Sequence, residues 1–198
     1  MIQDTGSRAM QTRDFSLAGW AAAVGALFFV AEIVTSFMAQ MPQYSDLLPR
    51  FSWPVLLALH ILPASYATWL LRAYLGDNYD FHKLDRVIPA MVVAGLLSGV
   101  VSIASQYAGV ENNLGLGALR FALGLVVGGL SVGFGYILLS VPGSMNGLKK
   151  PLAIMHLVAP PCFLVIVLAP VGLLLLLASE ILLALVFFAG EEAQPEFV

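Results

Sequence analysis

Apolar runs as long as a bilayer is thick decide what this chain can fold into. A hydrocarbon slab of about 30 Å takes about 20 apolar residues of helix. Four runs reach that length: Leu17 to Met38, Trp53 to Tyr74, Val87 to Gly109 and Leu116 to Ser140. A fifth, Pro151 to Gly190, is too long for one crossing, since it would form about 60 Å of helix at 1.5 Å per residue. Ala169-Pro170-Val171-Gly172 lies near its middle and carries the residues that tight turns use. Two short helices are therefore expected, Pro151 to Leu168 and Leu173 to Gly190. The fold class is all-α, a polytopic transmembrane helical bundle of six spans, with five spans as the alternative.

Composition agrees. The 198 residues are 60% hydrophobic and 11% charged, against roughly half and a quarter in soluble domains. A net charge of −3 gives no basic footprint, so nucleic acid is excluded as a partner. The single cysteine, Cys162, excludes a disulfide framework and a cysteine-rich metal site.

The chain divides into a polar tail over 1–16, one transmembrane domain over 17–190 and an acidic tail over 191–198. The polar start and the long apolar run after it do not fit a signal peptide, so the first span is expected to be retained. Arg8, Arg13, Arg72, Lys83, Arg86, Lys149 and Lys150 fall on one side, and only Arg50 and Arg120 on the other. That bias puts the amino terminus in the cytoplasm. With six spans, the acidic tail is cytoplasmic too. A multi-pass place in a prokaryotic plasma membrane is the expected location.

Helical periodicity sorts the faces. Ser98, Ser102, Ser105 and Gln106 share one face of the third span, and Arg120, Gly124, Gly128, Ser131 and Gly135 share one face of the fourth. Gly25, Glu32, Ser36 and Ala39 align in the first. Small residues let membrane helices pack closely, which accounts for the glycines. It does not account for the ionisable groups on the same faces.

A charge at the bilayer centre costs about 2.5–3.5 kcal/mol on insertion scales. The groups that face this cost are Glu32, His60, Arg120, Glu180 and His156. Helix rise places Glu32 and His60 about 6 Å outward of the midplane, Arg120 roughly 12 Å outward and Glu180 near the midplane. Ser102 and Gln106 line the same outer half. An Arg–Glu pair would offset much of the insertion cost, leaving a second carboxylate and His60 to exchange protons. The expected ligand- or proton-binding set is thus Glu32, His60, Ser102, Gln106, Arg120 and Glu180. The bland reading of the same residues is an ion-pair network that only fixes helix register.

His156 is a secondary candidate. Pro160 and Pro161 cannot donate to the carbonyls of His156 and Leu157, and loose carbonyls at membrane depth can bind cations. The alternative is a kink re-satisfied by a neighbouring serine or water, with His156 hydrogen-bonded in the core.

Three functions fit. The first is transport or capture of a small solute or ion, proton-linked through Glu32 and His60. The second is an accessory subunit of a larger membrane complex, or a homo-oligomer, joined through the glycine-rich fourth span. The third is a haem- or quinone-binding redox subunit. Haem is disfavoured because His60 and His156 lie about 12 Å apart along the membrane normal. No other cofactor is indicated. No cysteine pair and no His-Glu-x-x-His pattern supports an enzyme or a metal site. Ser98, in Gly95-Leu96-Leu97-Ser98-Gly99, reads as a packing residue. The lipid bilayer itself is the one partner common to all three readings.

Overall fold

A computed structural model describes residues 15–39, 41, 52–107 and 114–189. These form six helices: α1 (Ser16–Ala39), α2 (Ser52–Tyr79), α3 (Val87–Tyr107), α4 (Leu114–Leu138), α5 (Lys149–Leu164) and α6 (Ala169–Ala189). No strand occurs among the described residues. All helices except α5 are long and apolar enough to cross a membrane. Large apolar side chains point outward all around, for example Leu27 on α1, Leu62 on α2, Val100 on α3, Phe121 on α4 and Leu174 on α6. Such a surface suits lipid as its solvent. The protein is an all-helical, multi-pass membrane bundle.

The α5 helix has 16 residues, about 24 Å of rise against a slab of about 30 Å. It carries Pro160-Pro161 and stops at Leu164; Val165 is extended, and Ile166–Leu168 form a 3-10 turn. The break between the last two helices therefore falls at 165–168, before the expected Ala169–Gly172 turn. Pro170 stands in the first turn of α6, where a missing N–H leaves no intrahelical bond unmade. Gly172 serves packing rather than turning: a Cβ there would lie 3.1 Å from the Cys162 Cβ and 3.0 Å from the Phe163 ring.

The α2 helix runs past its apolar stretch to Tyr79 and ends in a left-handed αL cap. Asp80 takes the left-handed conformation (φ 49°), its N–H donates to the Gly76 carbonyl, and the Phe81 N–H donates to Leu75. Phe81 and Leu75 are both buried in the same cluster, the apolar contact that accompanies this cap. The Asn146 side chain donates to the Ala189 carbonyl at the end of α6.

Each helix packs against the next, and α6 returns to α1, which closes a ring; across it only α2 and α6 touch. The buried cluster lies at one end of this ring. Phe15 meets Tyr74 edge-on at 5.3 Å, and Tyr74 meets Phe187 at 5.6 Å. Leu84, Ile88, Leu138, Val141 and Met145 complete the plug. The cluster draws on the starts of α1, α3 and α5, the ends of α2, α4 and α6, and the connections beside them. The opposite half contributes few buried side chains, among them Leu57, Ala159 and Cys162.

Candidate functional site

Three helices that meet at the ring closure each carry one ionisable side chain. Glu32 on α1 is about 24 Å from the helix start and about 10 Å from its end at 1.5 Å per residue. His60 is about 12 Å into α2, and Glu180 is about 16 Å into α6 and about 13 Å from its end. All three are thus well inside the stretch that lipid covers. Only 14–18% of each side chain is exposed.

They form one chain of contacts. His60 Nδ1 stands 3.0 Å from Glu32 Oε2, and His60 Nε2 stands 2.8 Å from Glu180 Oε1. The imidazole is the middle link, and the Phe29 ring packs on it at 4.6 Å between centroids. The site needs the ring to close, because α1 and α6 come from opposite ends of the described chain. The second oxygen of Glu180, Oε2, is buried with no hydrogen-bond partner among the described residues.

Proton counting shows what such a chain can do. Two hydrogen bonds need two protons shared over three groups. That set has net charge −1, either as an imidazolium between two carboxylates or as a neutral imidazole that donates to one carboxylate and accepts from the other carboxyl. A third proton fits on Glu180 Oε2 and makes the set neutral. An unpartnered carboxylate oxygen away from water is costly, so that atom is a natural acceptor for an arriving proton or cation.

The other expected residues lie elsewhere. Ser102 and Gln106 are on α3, which packs against α2 and α4 only. Arg120 is on α4, which touches neither α1, α2 nor α6. No hydrogen bond or ion pair joins any of the three to the trio among the described residues. The expected Arg–Glu pair is replaced by two Glu–His contacts. Residues at one depth need not meet, because position around the ring decides which helices are neighbours.

His156, on α5, lies beside α4. The Ser131 hydroxyl is 2.9 Å from His156 Nδ1 and 3.3 Å from the His156 carbonyl. That carbonyl is the one Pro160 leaves free, so Ser131 is the neighbour that repairs the kink. Phe134 packs edge-on against the imidazole at 4.7 Å. Replacing Ser131 by alanine strips both contacts and is expected to lower stability by about 1 kcal/mol, the scale of interhelical hydrogen bonds in membranes. Unfolding in mixed micelles measures it, and an unchanged midpoint would show that water takes over both groups.

A haem iron would need a free ring nitrogen on each axial histidine. His60 has both nitrogens engaged by carboxylates. No group of three metal-ligating side chains is poised for a metal ion among the described residues. At the plugged end, Arg72 donates to Asp85 at 2.9 Å and His82 lies between Asp80 and Asp85. These pairs are exposed and contribute little to stability. Sequence reasoning missed Phe29 and Phe134 as the aromatic walls of the two histidines; each sits three positions from its helix's polar contact residue, which places it on the same face.

No protein-family model, curated protein or solved structure matches this chain.

Proposed function

We propose that this membrane bundle moves a small solute or ion together with protons, and that Glu32, His60 and Glu180 are the proton-exchanging site. The Glu–His–Glu chain itself carries this reading. Ionisable groups that face the interior of a membrane bundle mark ion and proton pathways, and this chain can change its charge by one without breaking a contact. The plugged end holds Arg72, Lys83, Arg86, Lys149 and Lys150, and the Lys/Arg bias puts that end in the cytoplasm. With α5 counted as a short sixth span, Glu32 and His60 then lie toward the outside and Glu180 near the middle. The aromatic plug would be the barrier on the inner side.

The test uses the full chain in vesicles that contain a trapped pH dye. A potassium diffusion potential is imposed, and amino acids, sugars, carboxylates and sodium are supplied in turn. The expected result is a solute-dependent pH change that Glu180→Gln and His60→Gln abolish while the protein stays folded. If wild-type vesicles respond to nothing in the panel beyond protein-free ones, the trio is a register clamp and the proposal fails.

A further inference from the structure

Arg120 has no role in the trio, yet it is a permanent cation on a membrane helix. It lies about 9 Å beyond the start of α4 by helix rise. It makes no ion pair or hydrogen bond among the described residues. An arginine at such a depth is paired or reaches for the headgroups.

Beside it runs a groove of about 670 Å³ between α4, α5 and the start of α6. Phe121, Leu125, Phe163 and Leu164 line it together with Gly124 and Gly128. The double proline and early stop of α5 leave the side of α4 away from α3 without a full-length neighbour, beside which the groove runs. From Arg120 to Val132 it extends about 18 Å along α4, close to the roughly 15 Å depth of one leaflet. Apart from Arg120 and Ser131, every lining residue is apolar or glycine.

From these features we infer that the groove binds one phospholipid, with an acyl chain along Gly124 and Gly128 and the phosphate on the Arg120 guanidinium. Charge complementarity selects the occupant. A guanidinium matches phosphate oxygens with a planar fork of donors, and the long apolar channel next to it matches a hydrocarbon chain rather than a polar solute. A second copy of this chain would cover the walls, but outside the trio the described spans carry only Asp77, which sits at the plugged end of α2, at the opposite end of the bundle from Arg120.

Native mass spectrometry of the full chain, released from detergent with dioleoylphosphatidylglycerol or dioleoylglycerol, tests this. The wild type is expected to retain one phosphatidylglycerol and to hold dioleoylglycerol, which lacks the phosphate, far less. Arg120→Gln should weaken phosphatidylglycerol retention about tenfold or more, the effect of losing a charge-assisted bond. Gly124→Leu should do the same by filling the groove; its Cβ meets nothing within 4 Å, and an unchanged unfolding midpoint in mixed micelles checks that the variant is folded. Equal retention of the two lipids, or no loss in either variant, would overturn the site. A dimer that Gly124→Leu dissociates without changing lipid retention would overturn it too, by showing that a second copy fills the groove.

Discussion

Replacing His60 by alanine is expected to lower the stability of the bundle by about 3–5 kcal/mol, the scale of removing one partner from a buried charged pair. The loss goes beyond two hydrogen bonds. Glu32 and Glu180 would be left facing a vacated site with no cation between them, and each would have to take up a proton or draw in water. Glu32→Gln or Glu180→Gln should cost less, about 1 kcal/mol, because an amide can still bond the imidazole. Replacing all three with Leu, Phe and Leu removes the polar groups together and is expected to be neutral or stabilising. Unfolding midpoints in mixed micelles give all four values. If His60→Ala cost no more than the single glutamines, the trio would not be charged or shared as described. A stable but flux-dead triple variant would separate function from stability.

The second large effect is expected at Gly135. A Cβ there would stand 2.6 Å from the Ala153 carbonyl oxygen, 3.0 Å from the Leu157 Cγ and 3.1 Å from the His156 Cβ. The nearest obstacle is backbone and cannot rotate away, so α4 and α5 must separate. Gly135→Ala should cost about 1–3 kcal/mol as overpacking, and it should also strain the Ser131–His156 contact one turn away. Two other glycines serve as controls. At Gly99 the clash, 2.5 Å, is with the mobile Cδ1 end of Ile61, and at Gly124 nothing lies within 4 Å. Alanine should therefore be mild at Gly99 and silent at Gly124. Similar losses at all three positions would mean that the α4–α5 contact is not the tight one.

Helix number and extent were largely legible, because the length of an apolar run and the placement of prolines act locally. The ends were less so. Pro170 and Gly172 predict a turn, but Pro170 fits a first helical turn equally well and Gly172 is used to approach Cys162 and Phe163. The α2 helix continues past Leu75 because Asp80, not an earlier residue, takes the left-handed cap. Depth along a helix was also legible, and it put Glu32 and His60 at one level. Bearing around the ring was not. It depends on α6 returning to α1, a contact between segments far apart in sequence, and that alone brings Glu180 to His60 and leaves Arg120 away from both. The Ser131–His156 bond followed from local chemistry: a double proline frees carbonyls, and a small hydroxyl on the adjacent helix is suited to cap one.

Ring closure also orders the protein's birth. Glu32 and His60 belong to a hairpin and can pair as soon as α2 is inserted. Glu180 follows His60 by 120 positions, so at ribosomal speeds of about 5–20 residues per second it emerges roughly 6–24 s later. For that interval the nascent chain holds an unfinished Glu–His pair in lipid, with the flank of α1 uncovered. The Glu–His–Glu chain is closed only when α6 docks against α1.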